Sequence, residues 1–164
     1  MFKKLIFSLT LFSLSLAPAF GSCETHFFSE SMSGCVLSPE YTLYQKEQFV
    51  GLEGKVGLFS TGYREGFGIR IGVEKSLESS LKGAKFGFEG RTEMTSVTRD
   101  FFLVFGANFV HHWGEGEKEW KFAPEIGIGW PYVSVVYQYG LHMSGDKIEN
   151  IGNHGVTLSI NIPF

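Results

Sequence analysis

Lys55, Arg70, Lys85 and Arg91 fall in the polar phase of alternating polar and apolar segments, as do Glu53, Glu74, Glu89, Glu93 and Glu125, with Glu40 a sixth carboxylate. Charges of both signs gathered on one face can serve as general acids and bases, or they can neutralise one another where water is excluded. Nothing in the sequence marks a substrate cleft, so the expectation is an interlocking ion-pair network. Four of the five histidines, His111, His112, His142 and His154, fall at segment ends. Imidazole suits an interface, proton transfer or metal ligation. A metal centre would need His112, His142 and His154 to converge, and no ligand-spacing motif accompanies them; no metal and no cofactor are expected. Cys23 and Cys35 are the only cysteines, with 11 residues between them, and are expected to form a disulfide.

The segments that carry these residues follow an N-terminus of another kind. Met1 to Lys4 holds two lysines, Leu5 to Leu16 is a run of 12 apolar or hydroxyl residues, and Ala17-Pro18-Ala19 is a small-x-small site. Together these features read as a secretory signal peptide over 1–19, because the run falls short of the roughly 20 apolar residues of a spanning helix. Phe20-Gly21-Ser22-Cys23 also has the outline of a lipoprotein cleavage box. Residues 20–35 lack a period and are read as a lead-in held by the Cys23–Cys35 bridge. A net charge of −3, with Lys and Arg scattered singly, leaves no basic stripe for nucleic acid.

From residue 36 to 164 the period is two, which predicts strands. Eight are expected, over 37–45, 49–59, 66–75, 84–94, 101–113, 121–130, 132–143 and 154–164. One face is nearly free of charge: Val50, Leu52, Val56 and Leu58, then Phe67, Ile69, Ile71 and Val73, and so on to the last strand. The other face interleaves the charges with glycines such as Gly51, Gly57, Gly68, Gly72, Gly87 and Gly106. Glycine weakens a strand, so its recurrence on the polar face implies that space is short there. The interior of a closed eight-stranded barrel is just wide enough to be filled by side chains, which fits that crowding. The fold expected is all-β: a closed, antiparallel, up-and-down eight-stranded transmembrane β-barrel. The alternative is a soluble lipocalin-like binder with its apolar face inside. Pro124 lacks an N–H and is expected to sit at a bulge.

The last strand ends Val156-Thr-Leu158-Ser-Ile160-Asn-Ile162-Pro-Phe164. In these residues the chain resembles bacterial outer-membrane β-barrels, whose final strand alternates apolar residues and closes on an aromatic one. The resemblance implies an outer-membrane location and small barrels of the OmpX-like and OmpA-like type. It makes Val156, Leu158, Ile160, Ile162 and Phe164 the signal read by the barrel-assembly machinery. It also implies that both chain ends face the periplasm, leaving segments 46–48, 76–83, 114–120 and 144–153 outside. Partners expected on this basis are outer-membrane lipid and lipopolysaccharide, with a surface or host factor contacting the outer loops, and the protein is expected to be monomeric. The loops are expected to be replaceable without loss of the fold. A second, shorter resemblance attaches to His142-Met143-Ser144, which is similar to the His-x-Ser element of outer-membrane lipid A deacylases. It implies an ester hydrolase with Ser144 as nucleophile and His142 as base. That family's last-strand glutamate has no counterpart in Gly155-Val156-Thr157, so Asp146 or Glu149 would have to orient the histidine.

Overall fold

A computed structural model describes residues 27–28, 31–60, 65–94, 101–130 and 132–163. The signal-peptide segment 1–19, Cys23 with its expected bridge, connectors 61–64 and 95–100, Pro131 and Phe164 lie outside the described residues.

Among the described residues every element is a strand: β1 (Ser31–Tyr44), β2 (Gln48–Ser60), β3 (Gly66–Ser76), β4 (Lys82–Glu93), β5 (Phe102–Gly114), β6 (Glu117–Trp130), β7 (Val133–Tyr139) and β8 (His154–Ile160). Leu141–Gly145 continues β7 beyond Gly140, and Ile162–Pro163 continues β8 beyond Asn161. A two-residue piece, Phe27–Phe28, pairs with the start of β1. Each strand pairs antiparallel with its neighbours in sequence, and β8 returns to β1 with Val156 opposite Leu43 and Leu158 opposite Tyr41. The sheet is therefore a closed eight-stranded antiparallel barrel with no free edge.

Closure divides every strand between two environments, and the apolar face is the outer one. Arg70 is 4% exposed whereas the next residue, Ile71, is 63% exposed. Val56, Leu58, Phe67, Phe86, Phe88, Phe105, Phe109 and Ile126 all lie on the open exterior, as do Val156, Leu158, Ile160 and Ile162 of the last strand. Leu52, on the same face, is an exception and is buried. A soluble barrel distributes its residues in the opposite sense, since burial of apolar surface is the main force that folds it in water.

Two strand starts differ from the expectation by four residues or more. β1 begins at Ser31 instead of residue 37, taking in part of the expected lead-in. β6 begins at Glu117 instead of residue 121, because Glu115 (φ 55°) and Gly116 (φ 89°) close a two-residue hairpin with positive φ at both positions, the geometry that matches strand twist. The charges of Glu117, Lys118 and Glu119 resemble a loop in sequence but stand on a strand end. The bulge is also displaced. Pro124 lies opposite Ala107 in an unshifted register, at a gap in the β6–β7 ladder, while the register shift falls at Trp120/Lys121.

Candidate functional site

Glycine makes room for the lumenal charges, residue by residue across the strands. Glu74 lies between Gly51 and Gly83, Glu89 between Gly68 and Gly106, and Gly72 between Glu53 and Lys85. Arg70 faces Gly87. Long side chains thus alternate with empty positions around the barrel, which lets charges from different rows reach one another.

The middle of the lumen is organised by Arg70. Its Nε donates to Asn108 Oδ1 at 2.8 Å, its Nη1 to Glu89 Oε2 at 3.2 Å, and its Nη2 to Glu125. Glu53 lies 3.8 Å away. Lys55 Nζ donates to Glu89 at 2.9 Å and stands 3.4 Å from Glu53. Nearer the chain termini, Arg91 pairs with Glu89 and donates to Asn161 Oδ1 at 3.2 Å, its guanidinium 5.6 Å from the Phe59 ring centre and 5.0 Å from that of Phe102. Toward the opposite end, Lys85 lies 2.7 Å from Glu74 and 3.3 Å from Glu40. Glu74 also meets His112 Nε2 at 2.7 Å and accepts from Tyr44 at 3.1 Å. Of the charges singled out in the sequence, these are brought together; Glu93 is half-buried at the last residue of β4. Among the described residues, a cavity beside Arg70, Glu89 and Glu125 and another beside Tyr44, His112 and Lys121 are each about the size of one water molecule.

Three participants escape sequence reasoning. Asn108 and Asn161 are neutral, and Glu119 sits in a stretch that looks like a loop. Glu119 is fully buried, pairs with Lys121 at 3.3 Å and accepts from the backbone N–H of Ile148 at 3.1 Å. Lys121 donates to the carbonyl of Gly152. These bonds hold segment 146–153 across the mouth of the barrel away from the C-terminus, where Ile148 and Ile151 pack with Tyr44, Phe49 and Leu81. Leu81, Ile148 and Ile151 therefore belong to a core cluster, which bears against the expectation that the loops holding them are dispensable to the fold. The signal available in sequence was the isoleucines themselves, apolar residues inside an otherwise polar loop.

The histidines separate. His112 points inward to Glu74; His111 stacks outside between Trp113 and Trp120, with ring centres 5.1 and 4.2 Å away. His154 meets the Tyr137 hydroxyl at 2.7 Å on the exterior. His142 Nδ1 lies 3.1 Å from Glu119 Oε1. Among the described residues no three potential ligands converge on a metal position. His142 and Ser144 separate too. His142 is opposite Lys121, an inward residue, whereas Ser144 is opposite Trp120, an outward one, because Met143 is the extra residue of the bulge. Residues opposite one another in a ladder share a face, so the two side chains leave opposite sides of the wall. The carboxylate beside His142 is that of Glu119, in place of the expected Asp146 or Glu149.

No protein-family model matches this chain, and no curated protein matches it.

Proposed function

We propose that this chain is a small, monomeric outer-membrane β-barrel with a charge-plugged lumen and a structural or surface-interaction role, similar in kind to OmpX-like and OmpA-like barrels. The observation that carries the proposal is the inversion of the wall, with apolar side chains outward and paired charges inward. A lipid exterior makes that arrangement favourable, since closure satisfies the backbone in hydrocarbon and the charges keep their partners away from it. The N-terminal stretch of signal-peptide type and the alternating final strand agree with export and insertion. A lumen filled by Arg70, Lys55, Glu89 and their partners leaves no aqueous path, so the proposal excludes a porin.

Membrane fractionation with gel mobility before and after boiling tests it. The unheated protein is expected in the outer-membrane fraction, migrating as a compact species that shifts on boiling. Recovery entirely from the soluble periplasm sinks the proposal and favours the lipocalin-like reading.

One observation favours a second reading, a lipid A acyl hydrolase: the Glu119 carboxylate on His142 Nδ1 is the orienting contact that a serine-esterase base requires. The same reading needs Ser144 within hydrogen-bond reach of His142, and the bulge at Met143 turns it away. Purified protein mixed with lipopolysaccharide is expected to release no fatty acid, and Ser144→Ala is expected to leave the lipid A mass spectrum unchanged. Release that disappears in both Ser144→Ala and His142→Ala overturns the passive reading.

A further inference from the structure

Among the described strands the exterior face carries only three charged side chains, all lysines, and they stand in one cross-strand row. Lys75 of β3 lies opposite Lys82 of β4, Lys82 opposite Trp113 of β5, and Trp113 opposite Lys118 of β6. All three lysines are exposed, and none belongs to an ion pair among the described residues. Of the carboxylates on the flanking turns, Glu78 accepts from Gln48 at 2.9 Å and Glu115 from Ser80 at 3.3 Å. Like charges directly opposite in a ladder repel, and the Lys75–Lys82 pair has no salt-bridge partner among the described residues to offset this. The other side of the same rim is different, with Tyr139, Leu141, His154, Leu43 and Val50 at comparable exterior positions.

We infer that this row is a binding surface for the phosphate groups of a phosphorylated lipid of the outer leaflet. The inference rests on the membrane reading above and adds to it one face, one class of headgroup and three named residues. Directly below the row come the His111–Trp120 stack and then Phe86, Phe109 and Phe122, which lie opposite one another on β4, β5 and β6. A lipid standing against strands β3 to β6 thus meets cations at its headgroup, amphipathic rings at the interface and aromatic apolar rings along its chains. Adjacent strands are about 4.8 Å apart, so Lys82 and Lys118 are about 10 Å apart at the backbone, a span that flexible lysines can close around one phosphate or spread over two. An acidic protein segment fits less well, because the Phe row continuous with the lysines calls for acyl chains.

The test uses the purified full-length barrel in mild detergent, with bound lipid counted by native mass spectrometry. The probes are bisphosphorylated lipid A and the same lipid A enzymatically dephosphorylated. Wild type is expected to retain the phosphorylated form in preference, and the triple variant Lys75→Gln, Lys82→Gln, Lys118→Gln to bind it at least about tenfold more weakly, with dephosphorylated binding unchanged. The control variant Lys46→Gln, Lys147→Gln removes rim lysines outside the row and is expected to bind as wild type. Heat-shifted gel mobility verifies that each variant folds, and Lys82→Gln alone replaces the triple variant if it does not. Equal retention of the two lipids by wild type, or an equal loss in the control variant, overturns the inference while leaving the outer-membrane reading intact. That reading fails separately, by fractionation.

Discussion

Arg70→Ala is expected to lower the unfolding free energy of the barrel by about 3–5 kcal/mol, read from urea denaturation in micelles followed by the loss of the compact gel species. The magnitude comes from what the guanidinium leaves behind. Glu53, Glu89 and Glu125 all face Arg70, each nearly excluded from solvent, and Asn108 loses the donor to its Oδ1. Breaking a buried pair by removing one partner strands the other charge, which costs more than the net worth of the pair. A double variant, Arg70→Met with Glu125→Gln, is expected to recover part of the loss because it removes an uncompensated charge along with the cation. A change in Arg70→Ala below about 1 kcal/mol would mean that water reaches the lumen and screens these groups, contrary to a sealed interior.

The second large effect is steric. Gly87→Val is expected to prevent formation of the protease-resistant, heat-shifted barrel, whereas Gly72→Ala is expected to change stability by no more than about 1 kcal/mol. Both glycines face the lumen, yet they differ in what a side chain would meet. A Cβ on Gly87 overlaps the Ala107 carbonyl oxygen and the Asn108 side chain and comes within 2.9 Å of Asn108 Cα, so β4 and β5 would have to separate. A Cβ on Gly72 comes no closer than 3.3 Å, to the Leu52 carbonyl oxygen, with the Glu53 side chain at 3.4 Å, so its neighbours need give by only a few tenths of an ångström. Gly87 also lies opposite Arg70, and a valine there would crowd the guanidinium that organises the network. Refolding kinetics in detergent and trypsin resistance measure the difference; a Gly87→Val protein that reaches the compact state as readily as Gly72→Ala would refute the steric account.

The two residues also illustrate what could be read from the chain unaided. A period of two is a local property, so the eight strands, the two-faced wall and the identity of the inward charges were legible without any contact being known. Glycine on the polar face conveyed that this face was confined. The pairing of the charges was not legible, because Arg70 reaches Glu89 and Glu125 across 19 and 55 residues and only the closure and register of the barrel set those neighbours. The same holds for the opposite faces of His142 and Ser144, where one extra residue in the ladder reverses the side chain that follows. Glu119 and Lys121 looked like rim residues until a two-residue turn carried their strand inward. Ile148 and Ile151 looked like loop residues until the curvature of the wall brought segment 146–153 over the mouth. Lys75, Lys82 and Lys118 are single lysines in three separate segments, and only the cross-strand register makes them one row. Alternation along a strand is encoded within a few residues, whereas proximity between strands depends on how the whole sheet closes, and closure is a property of all eight strands at once.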